Sequence, residues 1–489
     1  MSSTTENRPP DASSTEAELS APARSWREVR TLLARLHFYA GILIAPFLLV
    51  AAVTGLLYTF TPQLDRLVYE NWLTVDRPGD AVRPLAEQIA AARQAYPEGE
   101  LASVITPAGP DDTTQVVLSL PELGEKQLTV YVDPYTAQVK GDLVTWFGST
   151  PLSTWLDDLH RNLHLGDFGR LYSETAATWL WVVVLGGLAL WLGRARGQRA
   201  ASTRGVLLPD RSAKGVRRTR SRHAVTGVWL ALGLLFLSAT GMTWSQYAGD
   251  RFGRLLDVAK ARTPVLDTTL PGVQPPAPDG SGSGGEHAEH GGGSGSAATA
   301  AEPDPAAFEA ALAAARRAGL GGTATVTPPV KPGKAWTVAQ NDNTWPVHYD
   351  RVAVDVVYGA GTVTAQTRWS EYPLLSKLTK LGVQGHMGRL FGLANQLVLA
   401  ALAIGLSVIT VLGYRMWWQR RPTRADRTAR FGKAPARGVW RRLPVTALVL
   451  GIPLTVALGW ALPVLGVTLA AFVLADVAVG LVRSRSAAS

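Results

Sequence analysis

The chain contains five long apolar blocks, and each of them can cross a lipid bilayer. Four hold about 18 or more mostly apolar residues, and a helix of that length spans a hydrocarbon core of about 30 Å. The fifth block, about forty residues long, is interrupted at Trp460-Ala461-Leu462-Pro463, where the proline predicts a turn between two spans. The blocks are Leu36–Phe60, Thr175–Leu192, Ala224–Trp244, Leu390–Trp418 and Leu443–Val482. We therefore expect a mainly α-helical polytopic membrane protein with about six transmembrane helices.

The distribution of charge predicts how these helices are oriented. Residues 194–222 and 415–442 each carry ten Lys or Arg and one acid, so the positive-inside rule places both segments in the cytoplasm. Residues 61–160 carry fifteen Asp or Glu against six Lys or Arg, as expected of an exported segment. Arg483 and Arg485 return the C-terminus to the inside. The sequence thus predicts a multi-pass protein of a bacterial cytoplasmic membrane with both termini in the cytoplasm. The net charge of +10 indicates topology rather than nucleic-acid binding.

Two exported segments, residues 73–150 and 306–370, each have the pattern of a small α+β module. An Ala-rich helix precedes several strand-like runs in both. The predicted helices are 84–93 and 308–318, and the predicted strands are 101–106, 114–120, 128–132, 137–140, 336–339, 352–355 and 362–365. Neither module contains a GxGxxG, a P-loop or a nucleophile elbow. We interpret both as binding or packing modules, and no catalytic residue is predicted.

The linker at residues 271–305 is dominated by Gly, Ser, Ala and Pro and contains Glu286-His287-Ala288-Glu289-His290. Histidine-rich tracts can bind metal ions, which makes His287 and His290 secondary metal candidates. A solvated tether is the interpretation we favour, because the tract has no counterpart in the first exported module.

A histidine pattern occurs twice and marks the first and third spans. His37 and His223 each stand at the predicted cytoplasmic start of a span, with a glycine four residues later, Gly41 and Gly227. A Thr-Gly dipeptide follows each histidine at the same interval, as Thr54-Gly55 and Thr240-Gly241. A spacing that survives in two copies of one helix indicates a shared use for the imidazole.

A second pair of histidines precedes the second and fourth spans on the predicted outer side. His160 lies thirty-one residues before Trp191, and His386 lies thirty-one residues before Trp417. The two histidines should therefore sit at similar heights. His164 lies one helical turn beyond His160 and competes with it for the same role.

Paired histidines on facing helices are the arrangement for bis-histidine ligation of a b-type haem. Gly41 and Gly227 would leave room for the flat macrocycle one turn from each histidine. The chain has no cysteine, which excludes disulfides, Cys-ligated iron–sulfur clusters and covalently attached c-type haem. The alternative is that the histidines lie at the membrane interface and form hydrogen bonds with water. That alternative would be adequate for a single histidine, but it does not account for two pairs with matched spacing. We expect two b-type haems.

The order of helix, exported module and helix, duplicated, resembles the PepSY-associated transmembrane proteins, also called iron-regulated membrane proteins. The resemblance covers roughly residues 26–485. It rests on His37 with Thr54-Gly55, His160-Arg161, His223 with Gly227 and Thr240-Gly241, His386-Met387-Gly388-Arg389, and Trp417-Trp418-Gln419-Arg420-Arg421. The resemblance implies that the exported modules are PepSY-like. Characterised members of the family are di-haem membrane proteins that reduce iron–siderophore complexes, and others work beside sulfite-reductase-type flavoproteins. By this resemblance His37, His223, His160 and His386 are the axial ligands.

These observations together predict transmembrane electron transfer to an extracytoplasmic ferric chelate, the activity of a membrane ferric-siderophore reductase. The cytoplasmic loops of about thirty residues are too short for a flavin or nicotinamide domain, so the donor must be a quinol or a cytoplasmic flavoprotein. One alternative is a non-redox binding or regulatory protein that acts through its exported modules. Another is a metal or siderophore transporter. It is disfavoured because the spans lack buried acids, with Asp476 as the clear exception.

The predicted organisation follows the chain in order. It comprises a disordered cytoplasmic N-terminus (1–25), a transmembrane helix (36–60), the first exported module (73–150), a helix with a transmembrane span (160–193), a basic cytoplasmic loop (194–222), a transmembrane helix (223–247), a linker (271–305), the second exported module (306–370), a transmembrane helix (386–418), a basic cytoplasmic loop (419–442) and a transmembrane helix pair (443–482).

Overall fold

A computed structural model describes residues 21–197, 207–272, 303–419 and 443–486. The described chain is mostly helical and contains one group of strands. The helices are α1 (Ala21–Leu43), α2 (Ala45–Thr59), α3 (Thr61–Leu73), α4 (Leu85–Ala95), α5 (Pro151–Asn162), α6 (Gly166–Gly197), α7 (Gly215–Met242), α8 (Gln246–Val258), α9 (Pro305–Arg317), α10 (Leu374–His386), α11 (Gly392–Gln419), α12 (Val445–Ala461) and α13 (Pro463–Ser486). The strands are β1 (Glu100–Ile105), β2 (Thr114–Ser119), β3 (Gln127–Val132), β4 (Val139–Thr145), β5 (Ala324–Thr327), β6 (Trp336–Gln340), β7 (Arg351–Val357) and β8 (Ala360–Thr367).

The chain divides into two compact units. The helical unit comprises Met1–Val53, Arg170–Arg251 and Leu402–Ser489, and the sheet unit comprises Thr54–Gly169 and Phe252–Ala401. Within the described residues, four helices are long and apolar enough to cross a membrane, namely α6, α7, α11 and α13. The bent pair α1 and α2 gives a fifth candidate span. Helix α12 is apolar but shorter, so the sixth span remains a prediction.

The first span is bent by 56° between α1 and α2, and a proline explains the bend. Pro46 stands at the start of α2 and has no N–H, so it cannot bond to the carbonyl of Ile42 one turn earlier. That carbonyl instead accepts a hydrogen bond from the hydroxyl of Tyr414, at 2.9 Å. The side chain of α11 thus satisfies the backbone group that the proline leaves without a partner.

Helix boundaries differ from the sequence prediction at both predicted inner histidines. Helix α1 begins at Ala21 and α7 begins at Gly215, so His37 and His223 lie well inside their helices rather than at the start. The Arg-rich residues before each histidine are good helix formers, and they extend the helices outward. Residues 21–25 of the predicted disordered segment are therefore helical. Residues 1–20 lie outside the described residues, as does the predicted linker tract with His287 and His290.

The helices that carry the predicted outer histidines are separate from the spans, which corrects the predicted segments 160–193 and 386–418. Helix α5 ends at Asn162, and Leu163 and His164 both have a φ of 55°. Helix α10 ends at His386, and α11 begins only at Gly392. Left-handed φ values at Gly166, Gly388 and Gly392 mark the two turns, since glycine adopts them without steric cost.

Helix α6 carries a buried acid that the sequence analysis did not count among the spans. Glu174 is only 1% exposed. Its two carboxylate oxygens accept hydrogen bonds from the backbone N–H groups of Tyr247 and Ala248, at 3.0 and 2.9 Å. These donors belong to the first turn of α8, whose N-terminus is electropositive. Glu174 therefore caps the N-terminus of α8 with both of its carboxylate oxygens.

The two segments that are predicted to be exported form one sheet rather than two. Its eight antiparallel strands follow the order β4-β3-β2-β1-β5-β6-β7-β8, and β1 joins β5 through the pairs Val104–Val326 and Ile105–Thr325. The backbone and hydroxyl of Thr106 extend this junction by bonding to Ala324. Helices α4 and α9 cover one face, where a single core includes buried side chains from both segments, among them Ile89 and Phe308. The α+β pattern of each segment is present, and β5 is the strand that the sequence analysis missed.

We expect a disulfide to form across this junction when cysteines replace Ile105 and Thr325. Residues directly opposite each other in antiparallel strands have Cβ atoms about 5 Å apart, close to disulfide geometry. The wild-type chain has no cysteine, so oxidation should produce one intramolecular bond, measured as a mobility shift in non-reducing electrophoresis. The control Ile105→Cys with Thr327→Cys pairs diagonal positions about 7 Å apart and should not cross-link. Equal cross-linking of both pairs would contradict the register.

Candidate functional site: two histidine pairs

The structure brings His37 and His223 together within the helical unit. His37 lies on α1 and His223 on α7, and their ring centres are 6.2 Å apart with the ring planes at 74°. These are the two histidines that share the duplicated spacing in the sequence. We name them the inner pair, after their predicted position near the cytoplasm.

A backbone carbonyl orients each ring of the inner pair. Nδ1 of His37 lies 2.9 Å from the carbonyl oxygen of Val183 on α6, and Nδ1 of His223 lies 3.0 Å from that of Ile409 on α11. A carbonyl can only accept a hydrogen bond, so each Nδ1 must carry the proton and donate it. Each Nε2 then carries a lone pair, the tautomer in which a histidine binds a metal ion.

The carbonyl partners occupy matching positions in the second and fourth spans. The separation from His160 to Val183 equals the separation from His386 to Ile409. The same offset relates Gly187 to Gly413, one turn further along. The internal repeat therefore extends from the histidines to the backbone groups that hold them.

Glycines leave room at both histidines of the inner pair. A Cβ atom on Gly187 would lie 3.1 Å from Cε1 of His37, and one on Gly413 would lie 3.7 Å from Cε1 of His223. A side chain at Gly187 would thus press on the ring. A Cβ atom on Gly41 or Gly227 would meet no atom within 4 Å, so open space lies beside the residue one turn from each histidine.

The structure also brings His160 and His386 together, within the sheet unit. Their ring centres are 6.4 Å apart and the ring planes form an angle of 46°. His160 is on the last turn of α5, and His386 is the final residue of α10. We name these two residues the outer pair, after their predicted side of the membrane.

The first Thr-Gly dipeptide holds His160. The hydroxyl oxygen of Thr54 lies 2.9 Å from Nδ1 of His160, and a Cβ atom on Gly55 would lie 3.0 Å from Cε1 of the same ring. Threonine fixes the ring and glycine gives it space, which explains why these two residues are adjacent. Burial lowers the pKa of His160 to about 4, so the ring is neutral at pH 7 and can act as a ligand.

Charged groups lie on α5 beside the outer pair. The guanidinium of Arg161 is within 3.6 Å of Asp157 and 3.2 Å of Asp158, and it also lies 5.3 Å from the ring centre of Trp146. Burial raises the pKa of Asp157, and the positive charge of Arg161 opposes this rise. In the sequence Arg161 stands out only as part of the His160-Arg161 motif, and no pattern marks Asp157.

His164 does not join the outer pair. Because α5 ends at Asn162, His164 is not one helical turn beyond His160 on the same face, as the sequence analysis assumed. Its side chain is exposed and lies 5.0 Å from the ring centre of Trp155. The structure therefore favours His160 as the partner of His386.

The part of the chain that carries both histidine pairs matches a known family of membrane proteins. The family model described as the PepSY-associated TM region matches residues 34–420, well over half of the chain. The chain belongs to this family. The PepSY-associated match includes both histidine pairs and ends before α12. No curated protein matches the chain significantly.

Replacement of His160 and of His164 separates the two candidate outer ligands of the haem that the sequence predicts. We expect His160→Ala to remove about one haem per chain, because it takes away one ring of the outer pair. His164→Ala should leave haem content unchanged, since its ring is exposed. The measurement is haem content per purified chain, by absorbance of the pyridine complex. Loss of haem from His164→Ala alone would contradict this assignment.

Proposed function

We propose that the protein transfers electrons across the bacterial cytoplasmic membrane through two b-type haems, to an extracytoplasmic ferric chelate such as an iron–siderophore complex. The inner pair would hold one haem and the outer pair the other. The observation that carries this proposal is the pairing itself, with ring centres 6.2 and 6.4 Å apart. The chain would then be a ferric reductase of the iron-acquisition type.

The ring separations fit a metal ion bound between two imidazoles. A histidine nitrogen binds a first-row metal ion at about 2 Å, so two opposed rings on one ion have centres roughly 6 Å apart. A haem bound between the two rings would supply the other donor atoms to the iron. The open space beside Gly41 and Gly227 supports a flat group at the inner pair.

The residues of the chain have distinct tasks in this proposal. The carbonyls of Val183 and Ile409 keep Nε2 of the inner pair unprotonated, and the Thr54 hydroxyl orients His160. Burial excludes water from His160 and keeps it neutral. Bound haem would supply one-electron redox chemistry at potentials that its surroundings set.

The donor and acceptor are separate molecules in this proposal. A quinol or a cytoplasmic flavoprotein would deliver electrons to the inner pair, and a ferric chelate would take them from the outer pair. Reduction weakens the hold of a hard oxygen-donor chelate on iron, because Fe(II) is a softer ion than Fe(III). The basic segments support a cytoplasmic position for both termini.

The purified protein should contain about two b-type haems per chain. His37→Ala or His223→Ala should remove one haem and leave the outer one, and His386→Ala should do the reverse, because each variant breaks one pair. The measurement is the reduced-minus-oxidised absorption spectrum with haem quantification. A colourless protein from haem-replete cells would favour the non-redox binding alternative.

Ferric chelate reduction should require both pairs. Proteoliposomes with a reductant inside and a ferric chelate plus an Fe(II) indicator outside should develop colour, and those with His37→Ala or His386→Ala should not. His164→Ala is the matched control and should retain activity, since its ring lies outside the pair. Equal rates with His386→Ala would exclude the outer pair from the electron path.

A further inference from the structure

Helix α13 contacts the segment that carries His37, although it lies outside the family match, which ends at residue 420. We infer that Asp476 of α13 sets the reduction potential of the inner haem by neutralising Arg35. This inference rests on the proposed function, because it concerns a haem at the inner pair.

The central contact is an ion pair between two membrane helices. The guanidinium of Arg35 on α1 pairs with the carboxylate of Asp476 on α13. Arg35 is only 4% exposed, and its guanidinium carbon also lies 5.0 Å from the ring centre of Tyr39. A buried cation in a membrane helix is costly without an anionic partner, so Asp476 is the group that makes this arginine tolerable.

Two further contacts attach α13 to the helices that position His37. The ring centre of Phe472 on α13 lies 5.6 Å from that of Tyr39. Tyr39 is on α1, two residues after His37. The indole N–H of Trp179 on α6 donates to the hydroxyl of Thr468, at 2.8 Å. Trp179 is one turn before Val183, whose carbonyl orients His37. Helix α13 therefore contacts both helices that hold this ligand.

The electrostatic consequence has a definite sign. Arg35 is two residues from His37, and charges interact more strongly in a low-dielectric interior than in water. Reduction adds one electron to the haem, so an uncompensated cation nearby would stabilise the reduced form and raise the potential. Asp476 cancels this effect. The inner haem consequently keeps a lower potential, which favours passing the electron onward.

Redox titration of three variants tests this inference. Asp476→Asn leaves the Arg35 cation and should shift the inner haem to higher potential. Arg35→Gln leaves the Asp476 anion and should shift it to lower potential. The double variant has neither charge and should return close to the wild-type value. The outer haem should be unaffected in all three, and Thr468→Val, which removes the Trp179 hydrogen bond without changing charge, should leave both potentials unchanged.

The pattern of shifts separates a charge effect from simple anchoring of α13. If Asp476 only anchors the helix, the double variant will behave like Asp476→Asn, and the two single variants will not shift in opposite directions. Either result would overturn the inference while two bound haems still supported the proposed function. Should one single variant fail to fold, the other should still shift in its expected direction, while Asp476→Glu, which keeps the charge, should retain the wild-type potential. Absence of that shift, or an equal shift in Asp476→Glu, would overturn the inference. Absence of haem from the wild type would instead refute the proposed function itself.

Discussion

The hydrogen bond from a histidine ring to a backbone carbonyl of a neighbouring span is the interaction on which the inner pair depends. It fixes three properties at once, because it sets which nitrogen carries the proton, the direction of the ring and the distance between two helices. Within an α-helix a carbonyl already accepts one bond, and its second lone pair remains available to a side chain. The small residues Gly187 and Gly413, one turn further along, let the rings approach these spans. The arrangement occurs twice, between α1 and α6 and between α7 and α11. Each of these helix pairs is therefore one copy of the repeated unit.

Much of the fold followed from hydrophobic pattern, and the misses have physical causes. Seven of the eight strands coincide with runs of alternating or β-branched residues, whereas β5 has only four residues and pairs with β1 far away in sequence. Such a short strand carries little local signal, and its pairing is decided by the shared core. The breaks after α5 and α10 differ from the predicted segments 160–193 and 386–418, because those segments rest on the equal spacing from each histidine to its tryptophan, and a spacing carries no signal for a turn. The left-handed glycines Gly166 and Gly388 were the available signal.

The candidate site was predictable in its histidines but not in their partners. Equal spacing in two copies indicated which histidines correspond, and the structure places His37 with His223 and His160 with His386. The orienting carbonyls belong to Val183 and Ile409, whose side chains carry no chemical signal, so sequence alone could not identify them. The role of Gly55 is visible only in the structure, where the ring of His160 packs against it and leaves little room for a side chain. The contact of Asp476 with Arg35 joins residues more than 400 positions apart, beyond the reach of any local pattern.

Electron paramagnetic resonance of the oxidised protein is the most direct measurement of the central claim, that each pair supplies both axial ligands of one haem. Two histidine ligands make ferric haem low-spin, and rings set at 74° and 46° should give two distinguishable low-spin signals of equal intensity. Loss of one histidine from a pair should abolish only the signal of that pair, because that haem is then lost. A wild-type spectrum dominated by high-spin iron, or by a single low-spin species, would contradict ligation by two histidine pairs.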